Sequence, residues 1–251
     1  MKKTLLTASV ACACTLLLSA VPSVSNAEEA SPLTFNVGTV TEYRYRGISQ
    51  SRLKPALQGG FDVTQGAFYL GSWASTINWI KDSGGKANTE IDIYGGVKGD
   101  LAKDTTYDLG VLTYSYPSNG LNPSANTVEL YGALTFGPVT AKYSHSTTNL
   151  FGFADSKGSG YFDVTANFDL GDGMTLTPHV GHQTVKRNSA ASYTDYSLTF
   201  AKDFSGLALS AAIVGTDADK TWDVILSTAY TTLTFDFASQ PQAILFDADK
   251  I

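Results

Sequence analysis

From Thr34 onward the chain is a succession of short segments in which apolar and polar residues alternate, and that period of two constrains its fold most. Phe162, Val164, Ala166, Phe168 and Leu170 share one face, with Tyr161, Asp163, Thr165, Asn167 and Asp169 on the other. Val128, Leu130, Gly132, Leu134 and Phe136 oppose Thr127, Glu129, Tyr131, Ala133 and Thr135 in the same way. Successive side chains of a strand leave on opposite sides, so strands with one apolar and one polar face give this pattern. Twelve such segments occur, at about 34–46, 55–65, 67–79, 89–100, 105–117, 126–137, 139–148, 159–170, 173–186, 192–204, 206–215 and 221–237.

The connections alternate in length. Gln65-Gly66, Gly137-Pro138, Gly171-Asp172-Gly173 and Ser205-Gly206 read as tight turns, and 100–105 occupies a short-turn position. Between them fall longer polar loops at 47–54, 80–88, 117–125, 149–158, 186–191 and 216–220. Regular alternation of turn and loop, with an even strand count, predicts an all-β, transmembrane up-and-down antiparallel barrel of twelve strands. Segments of about 10 residues suit a tilted strand crossing a bilayer. A secreted β-sandwich also alternates apolar and polar residues, but gives no reason for its loop lengths to alternate. Aromatics near strand ends (Phe35, Tyr43, Tyr45, Phe68, Trp79, Tyr107, Tyr116, Phe136, Tyr161, Tyr193, Phe204 and Trp222) are expected to form interfacial girdles.

Export is written into the first residues. Lys2 and Lys3, an apolar run from Leu5 to Leu18, and Ser25-Asn26-Ala27 are the parts of a secretory signal peptide cleaved after Ala27. Val10-Ala11-Cys12 faintly resembles a lipoprotein acylation site, but such processing would halve the apolar run and places Ser9 where a leucine is expected. The organisation expected is therefore a signal peptide (1–27), a barrel (28–237) and a C-terminal tail (238–251). Both cysteines, Cys12 and Cys14, leave with the signal peptide, which excludes a disulfide framework or thiol chemistry. Without Lys2 and Lys3, 15 basic residues face 23 acidic ones, a balance that disfavours nucleic acid.

The polar strand faces predict a charged lumen. Glu42, Arg44, Arg46, Asp62, Glu90, Asp92, Glu129, Lys142, Asp163 and Asp195 are the permeation candidates, with Asn36, Lys98 and His179 on the same faces. Such charges either line a water-filled path that sorts ions or pair with one another and plug a narrow barrel. Twelve strands lie between the filled eight-stranded barrel and the open sixteen-stranded porin. Arg44 and Arg46 share a row with Glu42. They predict either an anion-attracting constriction or an internal ion-pair ladder with Glu42, Asp62 or Glu90. Loop 149–158, folded inward, would close the passage.

Ser144-His145-Ser146 is the only hint of hydrolytic chemistry, and strand geometry sends His145 to the opposite face from both serines. His179 and His182 are likewise split by their spacing, so no shared metal is expected. Asp155, Asp217 and Asp219 could attract calcium or bridge lipopolysaccharide phosphates through divalent ions, but loop acids are more often simply solvated, and these are read so. The expectation is a non-enzymatic barrel without a cofactor.

The chain also resembles the TorF-type porins of Gram-negative bacteria, a family of unsettled substrate. Asn36-Val37-Gly38 and Thr41-Glu42-Tyr43-Arg44-Tyr45-Arg46-Gly47-Ile48-Ser49-Gln50-Ser51 carry that resemblance most specifically. Glu90-Ile91-Asp92-Ile93-Tyr94-Gly95-Gly96, Tyr107-Asp108-Leu109-Gly110, Tyr114-Ser115-Tyr116-Pro117 and Asp155-Ser156-Lys157-Gly158-Ser159-Gly160-Tyr161 extend it. His179-Val180-Gly181-His182, Tyr193-Thr194-Asp195-Tyr196 and Gly215-Thr216-Asp217-Ala218-Asp219 complete it. The resemblance implies an outer-membrane barrel that passes small polar solutes or ions. Outer-membrane lipids, lipopolysaccharide and the barrel-assembly machinery are its implied partners. The end departs from the pattern, because the chain runs past Phe235 and Phe237 to Ile251 rather than stopping on an aromatic. A plugged barrel acting through its outer loops is the alternative.

Overall fold

The computed structural model describes residues 32–218 and 222–231. The expected signal peptide, the tail 238–251 and the end of the last expected strand lie outside the described residues. In chain order the strands are β1 (Leu33–Val40), β2 (Arg44–Tyr45), β3 (Ile48–Ser49), β4 (Ala56–Gln65), β5 (Phe68–Thr76), β6 (Thr89–Ala102), β7 (Thr105–Ser115) and β8 (Thr127–Phe136). They continue as β9 (Val139–Ser146), β10 (Gly160–Ala166), β11 (Phe168–Gly171), β12 (Met174–Thr184), β13 (Tyr193–Phe204), β14 (Leu207–Thr216) and β15 (Trp222–Thr231). A single helical turn, α1 (Trp79–Asp82), lies in the loop after β5. Among the described residues no helix is long and apolar enough to cross a membrane.

Every pairing is antiparallel, and apart from the closing contact the strands pair in chain order. β1 pairs with β4, and the ladder continues neighbour to neighbour from β4 to β10. β10 pairs also with β12, and β11 carries its line onward along β12. The ladder then runs β12–β13–β14–β15, and β15 pairs with β1. It thus returns to its start. With β10 and β11 taken as one interrupted strand, these pairings form a closed ring of twelve strands. Closure matters physically because it leaves no unpaired strand edge to meet hydrocarbon.

The turns explain the hairpins. Ser205 (φ 58°) and Gly206 (φ 105°) both take the left-handed conformation of a two-residue turn, which matches the twist of β13 and β14. All the tight turns lie at one end of the barrel and all the long loops at the other.

The molecule is apolar outside and polar within. Phe61, Leu70, Ile93, Leu109, Leu130, Phe162, Val180, Leu198, Phe200 and Ile213 point outward and are exposed. A water-soluble protein does not carry so extended an apolar girdle, whereas a bilayer solvates it. Phe68, Phe136 and Phe204 collect on this surface beside the tight turns, where an aromatic girdle is expected. The girdle expectation fails for Tyr43, Tyr45, Tyr116 and Tyr161, which are buried in the interior, and for Trp79, which packs against the same interior cluster. Tyr161 stands on the inward register of β10, and Tyr43 and Tyr45 belong to a segment folded into the lumen. The side chain of Trp222 lies outside the description.

The expected first strand, 34–46, is the largest departure. β1 stops at Val40, and residues 42–47 are all buried. Arg46 (φ 46°) and Gly47 (φ 77°) reverse the chain, so β2 and β3 form a short hairpin with Arg44 opposite Ser49 and Tyr45 opposite Ile48. Ile48 to Ser51, expected in an outer loop, return through the lumen.

Candidate functional site

The interior divides into two zones. At the long-loop end the 41–51 hairpin crosses the lumen and touches walls that are far apart in sequence. The Tyr43 hydroxyl donates to Glu90 Oε1 on β6 (2.7 Å), and its ring meets Trp73 of β5 edge-on at 5.5 Å. Tyr45 shares a hydroxyl hydrogen bond with Tyr114 of β7. At the hairpin tip, a Cβ built on Gly47 would lie 2.7 Å from Asp195 Cβ and 3.1 Å from Thr216 Cβ, so only a glycine lets the tip approach β13 and β14 so closely.

Arg46 is the centre of this contact. Its guanidinium donates to both carboxylate oxygens of Glu129 (3.0 and 2.7 Å) and to Gln183 Oε1 (2.7 Å), and it stacks 4.1 Å above the Tyr161 ring. The Arg46 and Glu129 side chains are only 3% and 2% exposed, so neither charge could sit there without the other. Arg44 instead pairs with Glu42 (3.0 Å) and donates to Gly47 O (2.7 Å). The two arginines therefore form an internal ion-pair network. Glu42 is a partner as expected; Glu129 takes the role that spacing suggested for Asp62 or Glu90. That difference follows from the hairpin, which lifts Arg46 off the β1 row and carries it across the lumen.

Further carboxylates surround the hairpin. Glu90 and Asp92 alternate inward on β6 and are fully buried. Tyr161 donates to Asp195 Oδ2 (2.9 Å), and His179 lies 3.5 Å from Asp195 Oδ1 and 3.8 Å from Asp163 Oδ1. From the neighbouring loop, Phe151 packs edge-on against Tyr45 (5.7 Å) and Tyr114 (5.2 Å), so 149–158 does contribute to the closure. Trp79 and Tyr116 extend the aromatic layer, with centroids 5.1 Å apart.

The tight-turn end is plainer, and its charged side chains are less deeply buried. Asp62 accepts from Tyr94 (2.6 Å) and Asp108 from Tyr69 (2.6 Å), and the Tyr69 and Tyr131 hydroxyls are hydrogen-bonded. Lys142 holds its ammonium 4.2 Å above the Tyr131 ring, and Lys98 lies 5.5 Å from that of Tyr69. Asp62, Lys98, Asp108, Lys142 and Asn36 are all half-buried rather than sealed. The facing wall is built from small residues, Thr199 and Ala201 on β13 and Ala208 and Ala212 on β14.

All ten permeation candidates thus face the lumen, but seven of them (Glu42, Arg44, Arg46, Glu90, Asp92, Glu129 and Asp195) sit buried around the hairpin, with Asp163 beside them. Only Asp62 and Lys142 lie in the less deeply buried zone. Sequence reasoning missed Gln183 and the tyrosines. One signal could have found the latter: inward glycines opposite tyrosine. A Cβ on Gly71, Gly96, Gly110 or Gly181 would strike the ring or hydroxyl of Tyr94, Tyr69, Tyr131 or Tyr161, so each glycine makes room for a ring lying flat on the wall.

On β9, Ser144 and Ser146 point inward and His145 outward. His179 and His182 are divided in the same way. Among the described residues no three His, Cys, Asp or Glu side chains gather as metal ligands.

Solved structures that superpose on the chain include porins. The KdgM porin, solved with disordered oligogalacturonate, superposes with a TM-score of 0.52 at 6% identity, covering 81% of this chain and 99% of its own. A variant of the Rh. blastica porin gives 0.42 at 14% identity over 80% and 74% of the two chains. Pseudomonas aeruginosa OpdQ gives 0.39 at 9% identity over 81% and 68%. At such identities the first of these likenesses speaks to the fold, and the other two lie too low to add to it. No curated protein matches the chain. Residues 26–239 match the family described as "Bacterial protein of unknown function (Gcw_chp)", and the chain belongs to that family.

Proposed function

We propose that the protein is a porin-type barrel of the Gram-negative outer membrane that passes small polar solutes or ions, its passage narrowed by the 41–51 hairpin. The observation that carries this reading is a closed strand ladder with an apolar belt outside and both signs of charge inside. Passage is by sieving and electrostatic selection, with no bond made or broken. Among the inward charges, Glu42, Asp62, Glu90, Asp92, Asp108, Glu129, Asp163 and Asp195 outnumber Arg44, Arg46, Lys98 and Lys142, which favours cations over anions. Assignment to the TorF-type porins, a signal peptide cleaved after Ala27, and assembly by the barrel machinery belong to the same proposal.

A second reading has its own support. The buried Arg46–Glu129 pair and the hairpin's reach from β5 to β14 fit a plugged barrel that works through its outer loops. Refolding Glu28–Ile251 into a planar bilayer separates the two. Discrete current steps with a cation-side reversal potential support the passage. A folded, inserted barrel that never conducts overturns it in favour of the plug.

A further inference from the structure

Outside the lumen, at the long-loop end of β9, β10 and β12, lies a cavity of about 430 Å³ lined by His145, Asn149, Asp155, Lys157, Lys186 and Arg187. Three cations and an imidazole against one acid form an unusual concentration in a chain of net charge −6. Lys157, Lys186 and Arg187 make no ion pair among the described residues.

The site is built rather than frayed. Ser156 is fully buried, and its hydroxyl accepts from Leu150 N–H (2.7 Å). Lys186 N–H donates to Ser159 Oγ (3.0 Å), and Asn188 Nδ2 donates to Ala154 O (2.9 Å). These bonds tie the 147–159 loop to the 185–192 loop. At the cavity floor Gly158 takes φ 86°, and a Cβ there would meet Lys186 Nζ at 3.1 Å and His145 Cε1 at 3.8 Å. The ammonium and the imidazole converge over a residue that has no side chain to fill the space.

Below the cavity the same outward surface becomes apolar. Tyr143 and Phe162 are cross-strand partners and about half exposed, and the Tyr143 ring lies 6.3 Å from that of His145. Val180 continues the surface towards the middle of β12. Cations at the rim over exposed aromatics and aliphatics match an amphiphile with phosphate above and acyl chains below.

We infer that this rim cavity binds the phosphorylated headgroup of an outer-leaflet lipid, with Lys157, Lys186 and Arg187 on the phosphate and the Tyr143–Phe162 surface against the acyl chains. The inference rests on the proposed outer-membrane barrel, with the short turns facing the periplasm and the long loops facing outward. The site holds the barrel at its depth in the leaflet.

Native mass spectrometry of the detergent-purified full barrel with added bisphosphorylated lipid A tests it. Wild type is expected to retain the lipid, and fully dephosphorylated lipid A is expected to be lost. Lys157→Gln/Lys186→Gln/Arg187→Gln is expected to weaken retention at least roughly tenfold, from three near-surface charges. Gly158→Ala places a methyl group in the cradle without removing charge, at the cost of backbone strain at φ 86°, and is expected to weaken it too. Heat-modifiable gel migration confirms that both variants are folded. Equal retention by the triple variant, or equal retention of dephosphorylated lipid, overturns the inference. So does inorganic phosphate that displaces the lipid at equal concentration, which would mark a free-anion site. A barrel that holds lipid A but never conducts supports this site while overturning the passage.

Discussion

The two ends of the lumen are built from the same kinds of residue and behave differently. At the tight-turn end, Asp62, Lys98, Asp108 and Lys142 stay half-buried and lean on tyrosines along one wall. At the long-loop end, Arg46, Glu129, Glu90 and Asp92 are sealed, because the 41–51 hairpin occupies the space in front of them. The wall does not cause this difference, since the same strands run through both zones. Strand number sets the width of the barrel; one short hairpin fills part of that width at the long-loop end.

Removing the hairpin should therefore have the largest effect. Replacing residues 42–50 with a short glycine link is expected to raise the unitary conductance severalfold, read in planar bilayers. It is also expected to expose Glu129 and Glu90 and so to strengthen cation selectivity.

Breaking the hairpin's anchor should act next. Glu129→Gln leaves the Arg46 charge buried without its counter-charge, at a cost of about 3–5 kcal/mol. The expected readout is a lower urea midpoint in detergent, with more frequent openings in single-channel records. If stability and gating both stay at wild-type values, the anchor role is wrong.

Crowding the wall tests whether the tyrosines belong to its architecture. A Cβ at Gly181 would fall on the Tyr161 hydroxyl, which also holds Asp195. Gly181→Val is expected to cost about 1–3 kcal/mol through overpacking. Thermal unfolding followed by tryptophan fluorescence would measure it, and an unchanged transition would show that the ring moves freely.

The smallest effect belongs to the tight-turn end. Lys142 rests above the Tyr131 ring in a half-open setting, so Lys142→Gln should change stability by less than about 1 kcal/mol. It should nevertheless move the reversal potential a few millivolts further towards cations, because it removes an inward positive charge from the proposed path. A shift towards anions would contradict the charge assignment.

Much of the fold was legible because strand alternation and loop length are local signals. The segment at 126–137 is β8 (Thr127–Phe136), and that at 192–204 is β13 (Tyr193–Phe204), within a residue or so at each end. Asn167 interrupts the expected 159–170 strand into β10 and β11, a small departure. The first strand misled for a physical reason. Glu42, Arg44 and Arg46 keep the period of two across the point where β1 ends, because a β-hairpin inside the lumen has the same period as a strand in its wall. Gly47, at the turn of that hairpin, was the available clue. The Arg46–Glu129 pair could not be read from the chain, since 83 residues separate its partners and only closure brings them together.

The most direct test of the account compares unitary currents of the full barrel and of the barrel lacking residues 42–50, each with its reversal potential in a salt gradient. The account predicts a larger step without the hairpin and a reversal potential further on the cation side. Equal steps and equal selectivity would mean that the hairpin does not control the lumen.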